Sequence, residues 1–183
     1  MPTAKGPKRA ATPSQPPADA TVATPGALAE VLSTNDLKDD GFAPHGEFRV
    51  GWRDGVVWWD AYGPFNLEAL QRYDRMRHIA RQRWLTKGQW FGGVVHWHDS
   101  ALMSPEAFEA YTQGFVAVYG RPHRLAAVAW VADPELEGMH FMRKRFAALF
   151  AQYGLSMREF ADPLEADAWV RAQRDAKAQA EGG

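Results

Sequence analysis

The residues best suited to chemistry stand in one run, His96-Trp97-His98-Asp99-Ser100, closing an apolar stretch that begins at Trp90. On a strand, side chains two apart share a face, so His96 and His98 lie about 6.5–7 Å apart and can share an ion. A metal site needs a third protein ligand. The exit of the next strand offers Asp133, but no spacing fixes it, and no metal or other cofactor is assigned. Ser100, His98 and Asp133 also have the residue types of a hydrolytic triad. No Gly-x-Ser-x-Gly elbow exposes that serine, so no catalytic residue is assigned. His96, His98, Asp99, Ser100 and Asp133 are therefore read as ligand- or partner-binding residues. In open α/β sheets, ligands gather beyond the carboxyl ends of the strands.

Two basic groups compete for attention. Arg72, Arg75 and Arg83 share one face of a helix, and Arg121, His123 and Arg124 precede a second cluster at Arg143-Lys144-Arg145. Both read as solvated faces rather than anion-binding stripes. The formal net charge is -1, and basic residues do not interleave with aromatic ones, which argues against a nucleic-acid partner.

The elements that must position these residues follow from local pattern. Phe48 to Trp52 and Val56 to Tyr62 are β-rich runs around Arg53-Asp54-Gly55, a hairpin signal because the turn needs positive φ. Val57, Trp59 and Ala61 form an all-apolar face expected to meet the core, opposite Val56, Trp58, Asp60 and Tyr62. Asn66 caps a helix that places Ala69, Leu70, Tyr73, Met76, Ala80 and Trp84 on one side. Trp90 to Trp97 is a strand covered on both faces, and Gly92-Gly93 within it marks close backbone packing. Ser104-Pro105-Glu106 starts the next helix. Leu125 to Val131 is a second buried strand, followed by a helix ending at Gly154. Ser156 to Phe160 is a last short strand, and Asp162-Pro163 opens the closing helix. The expected fold is α/β, a mostly parallel sheet of about five strands with an N-terminal β-hairpin, in the order β-β-α-β-α-β-α-β-α.

Composition sets the frame. Of 183 residues, 46% are hydrophobic, with 8 Trp and 10 Phe, enough for a well-filled core. Cys is absent, which excludes disulfides, thiolate metal sites and cysteine nucleophiles. No apolar run reaches the roughly 18–20 residues that span a bilayer, so no stable membrane insertion is expected. The first 30 residues lack a secretory apolar stretch, and the expected location is the cytoplasm. Residues 1–45, rich in Ala, Pro, Thr and Ser, read as a disordered tail with a short helical turn at Ala27 to Leu32. The domain is expected over 46–174, with a frayed end at 175–183.

The hairpin, the Gly63-Pro64-Phe65-Asn66 turn and the strand exit at Asp99-Ser100 resemble the STAS family. More particularly, with the closing stretch Glu159 to Trp169, they are similar to its SpoIIAA-like group, over about Phe48 to Arg174. That resemblance implies a fold shared with CRAL-TRIO (SEC14) lipid-binding domains. It also implies a phosphoacceptor serine at the second helix's start, and Ser100 is the matching position. Here Ala101-Leu102-Met103-Ser104-Pro105 replaces the Ser-Gly continuation of the antagonists. The function so implied is a non-enzymatic binding or regulatory module, acting through a partner protein or small ligand at the strand-exit loop. Two alternatives stand beside it: a carrier of an apolar small molecule or lipid, and a metal-dependent enzyme using His96 and His98.

Overall fold

The computed structural model describes residue 28, residues 30–38 and residues 42–182. Its strands are β1 (Val31–Ser33), β2 (Glu47–Arg53), β3 (Val56–Tyr62), β4 (Phe91–His98), β5 (Leu125–Val131) and β6 (Ser156–Phe160). Its helices are α1 (Leu67–Trp84), α2 (Pro105–Tyr119), α3 (Met139–Gln152) and α4 (Pro163–Gly182). The strands lie side by side in chain order, β1 to β6. β1, β2 and β3 pair antiparallel, and β3 to β6 pair parallel. Asp54 (φ 48°) and Gly55 (φ 82°) make the expected hairpin turn. Asn66 and Ser104 cap α1 and α2 by accepting from Ala69 N and Ala107 N.

At both ends the folded body exceeds the 46–174 span. The sheet has six strands rather than five, because Val31–Ser33 adds to the edge of β2. No helical turn forms at Glu30 to Leu32; Ala27 lies outside the described residues, as does the tail before it. Tertiary partners decide the matter: Leu32 lies opposite Val50, Ser33 Oγ donates to Glu47 Oε1 (2.7 Å), and Phe48 N donates to the buried Thr34 Oγ1 (2.9 Å). Arg83, read as part of a solvated face, pairs with Glu30 at 2.6 Å. At the other end α4 continues to Gly182 instead of fraying after Arg174. Glu181 holds it, accepting from Trp90 Nε1 (2.9 Å) and pairing with Arg124.

Three helices cover one face of the sheet. There Val57, Trp59 and Ala61 of β3, with Trp97 and Trp130, pack against Leu70 and Met76 of α1, Phe115 of α2 and Phe146 of α3. The mixed face of β3 is buried as well, so that all seven of its residues are inside. Val56, Trp58, Val94, Ala129 and Val131 meet Ala166 and Val170 of α4. Gly92 permits that approach: a Cβ there would stand 1.9 Å from Val170 Cγ1.

Candidate functional site

Parallel pairing of β3 and β4 sets Asp60 beside His96 and Tyr62 beside His98, all on the face that carries α4. α4 is tied to the opposite end of the hairpin. There Asp167 pairs with Arg53 (3.3 Å) and Arg171 donates to Asp54 O (3.1 Å), so the carboxyl-end corner lies beyond its cover. Asp60 is buried, its side chain 2% exposed, while those of His96 and His98 are 21% and 25% exposed. His98 Nε2 lies 2.8 Å from Asp60 Oδ1, and His96 Nδ1 lies 3.7 Å from the same oxygen. The two imidazoles are 4.1 Å apart and tilted by 45°. Asp60 Oδ2 meets no hydrogen-bond donor among the described residues.

Neighbours fix this corner. Tyr62 stacks on His98 at 4.4 Å, and the Arg49 guanidinium lies 5.0 Å from the Tyr62 ring centre. Glu47 grips Arg49 with both oxygens, at 2.8 and 3.1 Å. Burial holds the His96 pKa below its ordinary value; the neighbouring His98 adds to this, and Asp60 opposes it. The favoured form of His96 at neutral pH is thus the uncharged imidazole.

Of the five sequence-derived residues, only His96 and His98 come together. Asp99 is exposed at φ 59°. Asp133, the expected third ligand, is exposed too, and its Oδ1 accepts from Glu135 N (2.8 Å) in the turn before α3. Asp60 takes the place given to Asp133. No Ser100–His98–Asp133 triad forms, since the His98 ring is turned onto Asp60. Ser100 is 2% exposed, and its Oγ accepts from Leu102 N (3.2 Å). A kinase cannot reach that hydroxyl without opening the loop, and α2 begins only after its cap at Ser104. The loop is also bound on both sides. Phe65 N donates to Leu102 O (2.8 Å), and Ala101 N donates to Glu137 O (2.8 Å).

A second feature lies on the other face. Between the sheet and α1, α2 and α3 is a cavity of about 80 Å³ whose wall includes Trp59, Tyr73, Phe91, Tyr111, Trp97 and Trp130. Arg77 also lines it, only 5% exposed. Its Nη2 donates to Gly114 O (2.9 Å) and pairs with Asp74. Arg77 Nε and Trp97 Nε1, both buried, meet no acceptor among the described residues. Burial pushes the Tyr73, Tyr111 and Tyr119 hydroxyls above their ordinary pKa, so all three remain protonated donors. Sequence reasoning passed over Arg77, although its spacing from Tyr73 (four), Ala80 (three) and Trp84 (seven) aligns it with the inner stripe of α1.

Among the described residues no helix is long and apolar enough to cross a membrane. No protein-family model matches the chain, and no curated protein matches it. A solved structure does: an uncharacterised protein of the DUF3478 family with a SpoIIAA-like fold, from Shewanella loihica PV-4. The two are 14% identical, with a TM-score of 0.51, and the likeness covers 73% of this chain and 99% of that one. At that identity the likeness is one of architecture: the chain has a SpoIIAA-like fold, mixed α/β, with its parallel strands following an antiparallel N-terminal hairpin.

Proposed function

We propose that the protein is a binding module that takes a small, largely apolar molecule bearing a hydrogen-bond acceptor into the cavity beneath α1, α2 and α3. The observation that carries this reading is an aromatic-walled void with a buried cation on its wall. An empty cavity of about 80 Å³ forfeits roughly 2 kcal/mol of packing at about 24 cal/mol per Å³. Each buried donor left without an acceptor costs about 1–3 kcal/mol more. Water could serve the free donors but would not recover the packing lost along the ring carbon that makes up most of this wall. A ligand whose apolar body fills the void and whose acceptor meets Arg77 or Trp97 offsets both costs. The strand-exit loop is a poorer receptor, being bound to its neighbours and burying Ser100.

The test is an amide-resolved NMR titration with straight-chain carboxylates from acetate to octanoate, beside the matching alcohols. Saturable shifts are expected at Tyr73, Phe115 and Trp130, strongest at one intermediate length. Arg77→Met should weaken the best carboxylate about tenfold or more, the scale of a lost charge-assisted hydrogen bond, and leave the alcohol nearly unchanged. Native mass spectrometry of the purified protein should show a co-purifying small molecule. No saturable shift at any length, together with no added mass, would reject the reading.

A further inference from the structure

We propose that Asp60, His96 and His98 form a binding site for a divalent first-row transition-metal ion, with an open coordination position facing solvent. The three side chains each offer one ligand atom, and these atoms all lie within 4.8 Å of one another. Metal–ligand bonds of about 2.0–2.2 Å in a tetrahedral arrangement require ligand atoms about 3.4 Å apart. His96 Nδ1 and Asp60 Oδ1 stand at 3.7 Å, close to that spacing. His98 Nε2, hydrogen-bonded at 2.8 Å to the same oxygen, has to part from it by about 0.6 Å, a side-chain adjustment that leaves the strands in place.

A plain Asp–His hydrogen bond is the competing account, and it leaves two observations over. It uses only Oδ1, while Oδ2 of the same buried carboxylate meets no donor among the described residues. It also gives no reason for a second imidazole 4.1 Å from the first. A cation answers both, since it supplies positive charge to a carboxylate that burial has cut off from water. Two imidazoles with one carboxylate suit zinc, iron, nickel or copper better than calcium or magnesium, which prefer all-oxygen sets. All three ligands stand on adjacent strands rather than on a loop, and Tyr62 holds the His98 ring from behind. Three protein ligands leave a place for water or an incoming molecule on the side where the imidazoles are exposed. Nothing in this site touches the cavity on the other face, so the two assignments stand or fall separately.

Calorimetric titration of the untagged full-length chain with Zn²⁺, and its visible absorption with Co²⁺, decide the matter. One equivalent of Zn²⁺ should bind, and Co²⁺ should give the strong d–d bands of a low-coordinate site. His98→Gln and Asp60→Asn should each raise the dissociation constant by more than about tenfold and abolish those bands, whereas the exposed His140→Gln should change neither. Should Asp60→Asn fail to fold, His96→Gln replaces it, since that ring is already partly in water. Absence of zinc uptake by the folded wild type would overturn the assignment. So would uptake that survives His98→Gln, or that falls equally in His140→Gln.

Discussion

One face of the sheet is closed by three helices over aromatic rings, and the other is crossed by a single helix that stops short of a corner. Where cover is complete, a charged group held inside, Arg77, stands among aromatic rings at the wall of a cavity. Where cover is incomplete, polar groups collect and face one another, as Glu47, Arg49, Tyr62, Asp60, His98 and His96 do across three strands. Burial of apolar area drives both arrangements. What differs is whether the sheet end can be sealed, and hence whether a carboxylate inside it keeps neighbours of opposite or exchangeable charge.

The contrast can be broken most severely from the aromatic side. Trp130 is 1% exposed, with ring centres 5.0 Å from Trp97 and 4.8 Å from Phe146. Trp130→Ala should cost about 3–5 kcal/mol in urea unfolding. A loss well below that range would show that α3 collapses onto the gap and that this face is pliant. Two adjacent glycines then test the faces against each other. Gly92→Ala drives a methyl into Val170 and should destabilise by about 1–3 kcal/mol, read from the shift in unfolding midpoint. Gly93→Ala points the other way, where a Cβ would find ordinary contacts at 3.7 Å from Val128 and 3.8 Å from Leu125. It should stabilise by about 0.5–1 kcal/mol through reduced freedom of the unfolded chain, while filling part of the cavity and weakening any ligand there. Equal effects of the two changes would mean that the faces do not differ in tightness.

The smallest effect concerns pH. Burial lowers the pKa of His123, the charges of Lys177 and Arg81 add to this, and a backbone hydrogen bond to Leu125 opposes it. Above about pH 6.5 the ring is neutral in both folded and unfolded chains. As pH falls below that value the unfolded chain takes the proton first, so stability declines until the folded ring titrates too. Unfolding midpoints should drop between pH 7.5 and 5.5, and His123→Gln should flatten part of the drop. An unchanged slope in that variant would place the acid sensitivity elsewhere.

Much of the architecture was legible because local chemistry and tertiary packing agree. Asp54-Gly55, Asn66 and Ser104 act within a few residues of themselves, and the apolar runs of β4 and β5 are long enough to read. The site was less legible. His96 and His98 share a strand, so their spacing reveals them, whereas Asp60 joins them only through the register of two parallel strands. Its sole trace is a carboxylate inside the run Val56 to Tyr62. Arg77 lay hidden in a helix already rich in arginine. Strand β1 is three residues long within a stretch whose average composition speaks for a tail, and the end of α4 rests on contacts of Glu181 with Trp90 and Arg124, far away in sequence.

That three-residue strand has a consequence for the solution behaviour of the protein. β2 pairs with β1 over Arg49 to Gly51, and without β1 the backbone amides and carbonyls that β2 turns to that side would line an exposed edge. A chain shortened to begin at Gly46, where composition alone draws the boundary, would keep its sheet but leave β2, the strand that carries Phe48, Val50 and Trp52, as an open edge. Such an edge is a template for pairing with another molecule, and short or guarded edges are how folded proteins avoid it. The segment that reads as an appendage is therefore an edge guard, and its removal would turn a self-contained sheet into one that recruits its own copies.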